Sequence, residues 1–572
     1  MAQFIENIAQ TQAVFGNVYS AIFRWVAPVL ALLILLRCIG PLLTFRREPE
    51  IWAWLHLMDG TRLPVTHWEN VVGRNKRCDI VIDLPTVSRN HCVLTRYDDG
   101  SWTVIDADSS GGVFVNGEQV QICALEPEDV ITVGGVEMVL QPISRKQELK
   151  LAQLRTRGSS FGSSFASVLL LTIFQVLCCL SFAFRGSKEI LFILTGFGGI
   201  MAAQWVLLIL YACIRKPAFE VETIAFFLCT MGMAAIATVC PGEAKKQLIA
   251  MLLGVFVFLA IGISVRDLER AKKIRYLAAV AGIGFLLVTL VFGQEYYGAK
   301  NWLVIGSLSL QPSELSKVCF VFVGASTMDR LMKKRNLILF IAYSVIICGC
   351  LALMNDFGTA LIFFAAFLVI AYLRSGSVGT LALAITALGF AGVVAIKIAP
   401  HALRRFAAWR HIWEQPWDAG YQQTRALMCM ASGGFLGLGP GKGWMKNVFA
   451  ADSDVVIATI CEEWGLFIVI LAILSIVALA IFTVRSAAVG RSSFYTIGGC
   501  TAASILVVQV ILNALGTVDV VPLTGVTFPF LSNGGSSMIG AWGLLAFVKA
   551  VDTRQNASFA VRISKEGVQE DE

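Results

Sequence analysis

Residues 401–465 read HALRRFAAWRHIWEQPWDAGYQQTRALMCMASGGFLGLGPGKGWMKNVFAADSDVVIATICEEWG, and the fold follows from what this stretch needs around it. It is dense in Arg, Asp, Trp and Gly, yet it hangs between two hydrophobic runs, 379–398 and 455–484. So long an aqueous connection is a functional segment, because a mere linker between packed elements is short. The composition identifies what flanks it. The 572 residues are 56% hydrophobic and 15% charged, with a mean hydropathy of +0.72, whereas a soluble domain carries about 25% charged residues. The expected fold class is a polytopic α-helical membrane protein.

Outward from the loop, further spans are expected near 218–240, 246–265, 276–294, 312–328, 337–354, 356–373, 494–515 and 530–550. Basic residues fall in every second connection: Arg266 to Arg275, Arg330 to Arg335, Arg374, Arg485 with Arg491, and Lys549 with Arg554. Those connections read as cytoplasmic. The loop 399–454 is then extracellular, although it holds Arg404, Arg405, Arg410, Arg425 and Lys442. Cations kept on the outer side against the charge rule suit a pyrophosphate, which guanidinium forks grip in bidentate fashion; anionic headgroups or plain solvation are the alternatives. The net charge of +7 is spent on topology, so no nucleic-acid face is expected. The fifteen cysteines lack metal or disulfide spacing and read as small buried hydrophobes.

Towards the N-terminus the pattern changes twice. Residues 1–17 carry no Lys or Arg, unlike the start of a cleavable signal peptide; they read as an extracellular segment before a span at 18–43. Residues 50–143 alternate apolar and polar in short runs separated by Asp-Gly, Asn-Gly and Gly-Gly turns, the signature of an inserted, cytoplasmic all-β sandwich. A basic linker, 144–162, leads to two more spans within 163–214. That makes thirteen spans, a membrane domain over 218–552 and a cytoplasmic tail at 553–572.

Inside the sandwich, Gly73-Arg74, Ser88-Arg89-Asn90-His91 and Asn116-Gly117 resemble the forkhead-associated (FHA) domain, a phosphothreonine-binding module. The resemblance implies that Arg74, Ser88 and Arg89 hold the phosphate of a phosphothreonine-containing protein, and that His91 supports the loop. Gly111 stands where that family often has an Asn that holds the peptide backbone.

Five ordered motifs in 218–552 resemble the SEDS family, the FtsW/RodA group. Gly298-Ala-Lys300-Asn-Trp302 with Gln311-Pro-Ser313-Glu314-Leu-Ser-Lys317 is similar to GARRW…QPSELxK, and Asn355-Asp-Phe-Gly-Thr-Ala360 to PDLGTA. Gly420-Tyr-Gln422 with the glycines 433–443 is similar to GYQ…GSGG…GxGxG, and 522–537 to PVTGxxLPFxSYGGSS. The segment from Asp452 to Glu463 is similar to HTDFIFAxxxEE, with Asp452 in place of the His; Asn533 replaces the Tyr of SYGG.

This resemblance implies a peptidoglycan glycosyltransferase of the plasma membrane that polymerises lipid II and works with a class B penicillin-binding protein. It puts Asp454 in the catalytic position, as base for the acceptor hydroxyl. Arg404, Arg405 and Lys442 are expected at the leaving group, together with a divalent cation near Asp418 or Asp452, though a metal requirement stays open. Gln422, Trp302, Lys300, Ser313 and Glu314 are further substrate-binding candidates. Two readings of Glu314 remain: a cavity-lining group, or an acid in a helix's first turn. An extra carboxylate at Asp452 is expected to raise the pKa of its neighbour. A lipid II flippase and an inactive FHA-bearing scaffold are the competing readings; Asp454 weighs against the second.

Overall fold

In lipid every backbone polar group must be satisfied within its own segment, so the apolar runs have to be helices. The computed structural model describes residues 2–44, 50–76, 78–97, 100–144, 147, 160–184, 189–296, 298–306, 308–328, 334–375, 378–398, 400–490, 492–552 and 554. The side chains of residues 2–15, 393–402 and Arg404 lie outside the described residues, so the expectation for Arg404 does too. Helices occupy each expected span: α1 (Ala2–Thr44), α2 (Phe161–Ala183), α3 (Ile190–Cys213), α4 (Glu220–Val239), α5 (Ala244–Ser264) and α6 (Leu268–Phe292). They continue with α7 (Pro312–Met328), α8 (Lys334–Leu353), α9 (Phe357–Ser375) and α10 (Val378–Ile398).

The long loop is not bare coil. It contains α11 (Pro400–Ala408) and α12 (Tyr421–Gly433), and is followed by α13 (Val456–Trp464), α14 (Leu466–Ala487), α15 (Ser493–Thr517) and α16 (Gly535–Ala550). Among the described residues ten helices are long and apolar enough to cross a membrane, which makes this an integral membrane protein. The count of thirteen is not reached on that measure: α7 has 17 residues, α16 has 16, and α10 includes side chains outside the described residues.

One expected span is corrected. The run 455–484 is two helices, parted at Gly465, whose φ of 90° and ψ of 159° belong to a region open essentially to glycine alone. A Cβ there would lie 2.3 Å from the Phe435 carbonyl oxygen. The backbone crosses at this point, with Leu466 N–H donating to Gly434 O at 3.0 Å.

Helix α4 is enclosed, 94% of its apolar window being buried, because α1, α2, α3 and α5 all pack on it. Apolar contact alone does not orient such helices, so buried amides do. Gln175 of α2 donates to Gln204 Oε1 of α3 (3.0 Å) and to Thr230 Oγ1 of α4 (2.9 Å), and Gln204 donates back to Gln175 (2.9 Å).

The β region forms two sheets between Ala53 and Pro142. One holds, in spatial order, β2 (Arg62–Val65), β1 (Ala53–Leu57), β11 (Val136–Pro142), β10 (Val130–Val133), β7 (Val113–Val115) and β8 (Glu118–Val120); the other holds β4 (Ile80–Val81), β3 (Glu69–Gly73), β5 (Cys92–Arg96), β6 (Trp102–Asp106) and β9 (Ile122–Leu125). Only β3 (Glu69–Gly73) and β4 (Ile80–Val81) pair in parallel. The start of β3 touches the connection from α14 to α15: His67 Nδ1 donates to Gly490 O at 2.7 Å, and Ser493 Oγ donates to the Glu69 carboxylate. Between α6 and α7 the chain makes a three-stranded meander: β12 (Gln294–Tyr296), β13 (Ala299–Ile305) and β14 (Leu308–Leu310).

Candidate functional site

Asp454 lies in the turn just ahead of α13, partly buried between two irregular segments. Each residue of its tripeptide is tied to a different place. Asn533 Nδ2 donates to Asp452 Oδ2 at 2.7 Å, Ser532 Oγ to Ser453 O at 2.6 Å, and Asn513 Nδ2 to Asp454 O at 2.8 Å. The same Asn513 amide reaches Val526 O at 2.8 Å, so one side chain of α15 pins both walls. Gly525, at φ 71°, leaves the carboxylate uncovered: a Cβ there would stand 3.4 Å from Asp454 Oδ2.

Burial pushes the Asp454 pKa from 3.8 up to about 7; the Arg405 guanidinium opposes this and the Asp452 carboxylate adds to it. Burial prevails because a carboxylate without direct donors is costly to ionise away from water. Like-charge repulsion, expected from the sequence, is thus present but is not the main cause. Arg405 is held nearby, Nη1 donating to Thr524 O at 3.0 Å. A poised carboxylate beside a fixed cation can take a proton while charge develops on a departing group.

The glycine-rich stretch after α12 wraps two buried carboxylates. Glu462 accepts the N–H groups of Trp444 (2.9 Å) and Met445 (2.8 Å). Glu463 accepts that of Gly443 (3.3 Å) and the Thr238 hydroxyl (2.8 Å). These acids are scaffolding for the loop that presents Lys442, whose side chain is exposed. Gln422 braces the same wall, donating to Phe449 O at 2.9 Å. Beside it opens a groove of about 440 Å³ lined by Trp417, Tyr421, Arg425, Met428, Trp444 and Glu462, among others.

The candidates from the meander and α7 are engaged locally. Lys300 Nζ donates to Leu290 O (2.8 Å) and Val291 O (3.4 Å), capping the end of α6, where carbonyls lack helical partners. Trp302 is paired with Gln294 in the meander. Glu314 sits in the first turn of α7 and forms a buried ion pair with Lys317 at 2.7 Å. The helix-terminus reading therefore describes its position. Ser313 Oγ is buried with no partner among the described residues. This group joins the Asp454 site through the segment 522–537, since Gln311 N–H donates to Ser536 Oγ at 3.0 Å.

Among the described residues no three His, Cys, Asp or Glu side chains gather to hold a metal ion. Asp452 directs one oxygen at Asn533 and at Cys240, whose Sγ donates to it at 3.0 Å.

Sequence reasoning passed over Asn513 and Cys240. An amide in the middle of the apolar run of α15 was the available signal for Asn513. It also passed over Ser110 in the β domain, where Ser88 Oγ lies 2.9 Å from Ser110 Oγ and 3.0 Å from Ser110 N. Arg74 is close to the same loop, Nη1 donating to Pro85 O at 3.3 Å, while Arg89 is exposed. His91 accepts the Ser88 N–H (3.0 Å) and donates to Gly112 O (3.0 Å), the supporting role expected of it.

The sequence model of the FtsW/RodA/SpoVE family, described as a cell cycle protein, matches residues 223–557, more than half of the chain. The chain belongs to the FtsW/RodA/SpoVE family. An FHA domain matches residues 70–134 of this FtsW/RodA/SpoVE member. Over 329 residues it is 30% identical to the peptidoglycan glycosyltransferase RodA of Mycobacterium tuberculosis, covering 54% of this chain and 70% of that one. It is 27% identical over 339 residues to a probable peptidoglycan glycosyltransferase FtsW of Wigglesworthia glossinidia brevipalpis, covering 56% and 85%. A solved chain from a peptidoglycan synthase complex shares 24% identity at a TM-score of 0.49, covering 58% and 96%.

Proposed function

We propose that this chain is a peptidoglycan glycosyltransferase that polymerises lipid II on the outer face of a bacterial plasma membrane, with Asp454 as its base. The observation that carries the reading is a carboxylate at the family's catalytic position, raised to about 7 by burial and flanked by Arg405. In the reaction Asp454 takes the proton of the acceptor's 4-hydroxyl. The acceptor's 4-oxygen bonds to C1 of the donor as the bond from C1 to the lipid pyrophosphate breaks, inverting that carbon. Arg405, Lys442 and Arg404 neutralise the departing pyrophosphate, guanidinium forks being suited to its oxygens. Relatives named peptidoglycan glycosyltransferases support the activity.

On this reading the N-terminus is outside, the FHA domain and C-terminus are cytoplasmic, Arg74, Ser88 and Arg89 read a phosphothreonine, and a class B penicillin-binding protein cross-links the product. The test is glycan-chain formation from purified lipid II by wild type and Asp454→Asn, with and without such a partner. Polymer from wild type and none from the folded variant is expected. Equal polymer from both removes Asp454 as base, and none from either, partner included, shifts the reading to lipid II transport or scaffolding.

A further inference from the structure

Two places where this chain departs from the family's motifs touch each other. Asp452 and Asn533, on segments 81 residues apart, share two contacts: the Asn533 amide donates to Asp452 Oδ2 at 2.7 Å, and the Asn533 N–H donates to Asp452 O at 2.8 Å. Cys240, at the end of α4, donates its thiol to the same Oδ2 at 3.0 Å. A half-buried carboxylate requires such donors, and without the Asn533 amide Asp452 would keep only the weak thiol of Cys240. An Asp and an Asn therefore suit each other at these two positions.

We propose that Asp452 and Asn533 form one positioning unit, a hydrogen-bonded clasp that holds the turn bearing Asp454 against the segment 522–534. The proposal rests on the reading of Asp454 as base. The clasp is the first of three consecutive ties, followed by Ser453 to Ser532 and Asp454 to Asn513. It is the only one of the three made by side chains from both segments; the other two use main-chain carbonyls, which any residue supplies. Its loss leaves the N-terminal side of the turn held by the main-chain contact from Asn533 N–H to Asp452 O alone, and lets the base shift relative to the acceptor hydroxyl. A displacement of about 1 Å in a reacting group costs about 100-fold in rate.

The test is lipid II polymerisation by the full-length protein, with kcat and KM read separately and Asp454→Asn as control. Asp452→Ala and Asn533→Ala are each expected to lower kcat by about 10- to 100-fold with KM within about twofold. The double variant should be no worse than the poorer single one, because both remove the same contact. Asp452→Asn keeps an oxygen that accepts the Asn533 amide and is expected within about threefold of wild type. Exchanging the pair, Asp452→Asn with Asn533→Asp, should recover most of what Asn533→Asp alone loses, which also separates a lost contact from a failure to fold.

Additive losses, an exchange that recovers nothing, or an Asp452→Asn variant as impaired as Asp452→Ala each overturn the clasp. So do unchanged alanine variants beside an inactive Asp454→Asn. An active Asp454→Asn overturns instead the reading on which the clasp rests.

Discussion

The proposed role of Asp454 as base fits a site that raises its carboxyl towards neutral pH. With its pKa at about 7, the acid limb of kcat/KM should rise with unit slope through about pH 7, measured with lipid II at fixed salt. A limb near 4 would mean that the carboxylate is solvated as in a peptide. The same shift has a stability consequence of defined sign. A folded-state pKa above the ordinary 3.8 means that the folded protein binds the proton more tightly; this stabilisation is complete below about pH 4 and lost as pH rises through about 7. Wild type should therefore lose melting temperature across that window while Asp454→Asn does not. In the FHA domain, Gly111 has room for a side chain, the nearest atom to an added Cβ being His91 Cε1 at 3.9 Å. Gly111→Asn should bind a phosphothreonine peptide about 3- to 10-fold more tightly, the gain of one hydrogen bond. Calorimetry on the full chain reads this directly, and unchanged affinity would mean that the peptide runs elsewhere.

At the level of elements, the break between α13 and α14 places the Asp454 turn. A continuous helix through 465 would carry Glu462 and Glu463 out of register with the glycine-rich loop, whose N–H groups they collect. Gly465→Ala meets both a backbone conformation costing about 1–3 kcal/mol and a 2.3 Å approach to Phe435 O. It should lower thermal stability markedly and polymerisation with it; a variant with wild-type melting temperature would show that the crossing can relax. The irregular segment 522–534 is tolerated because backbone at membrane depth can leave the helix where protein surrounds it. Its partners there are Asn513, Gln247 and the Asp454 turn.

On the scale of the whole molecule, α14 joins two sites. Its first residue follows the Asp454 region and its last precedes the connection on which the FHA domain is seated. At 22 residues it separates them by about 33 Å. The FHA domain therefore rests at the far end of the helix from the base. Glu69→Ala removes the carboxylate that receives Ser493 and should speed amide exchange in 487–493 while leaving exchange in the sheets unchanged. Unaltered exchange in 487–493 would show that the seat does not depend on this contact. The helices α1, α2 and α3 are part of the same body, since all three pack on α4 and the Gln175–Gln204–Thr230 network fixes α2 and α3 to it.

The sequence by itself determined the membrane class and the β insertion, because hydropathy and alternation are local properties written along the chain. His91 as a loop support was legible from motif spacing, whereas for Glu314 the sequence left a cavity-lining group and a first-turn acid both open. The tertiary structure alone decided that Asp452 meets Asn533, that Lys300 caps α6, that Glu462 and Glu463 are scaffolding, and that the span at 455–484 is broken. Each of these depends on a partner tens to hundreds of residues away or on a close backbone crossing. No local pattern encodes which distant donor a carboxylate will find once the chain has packed.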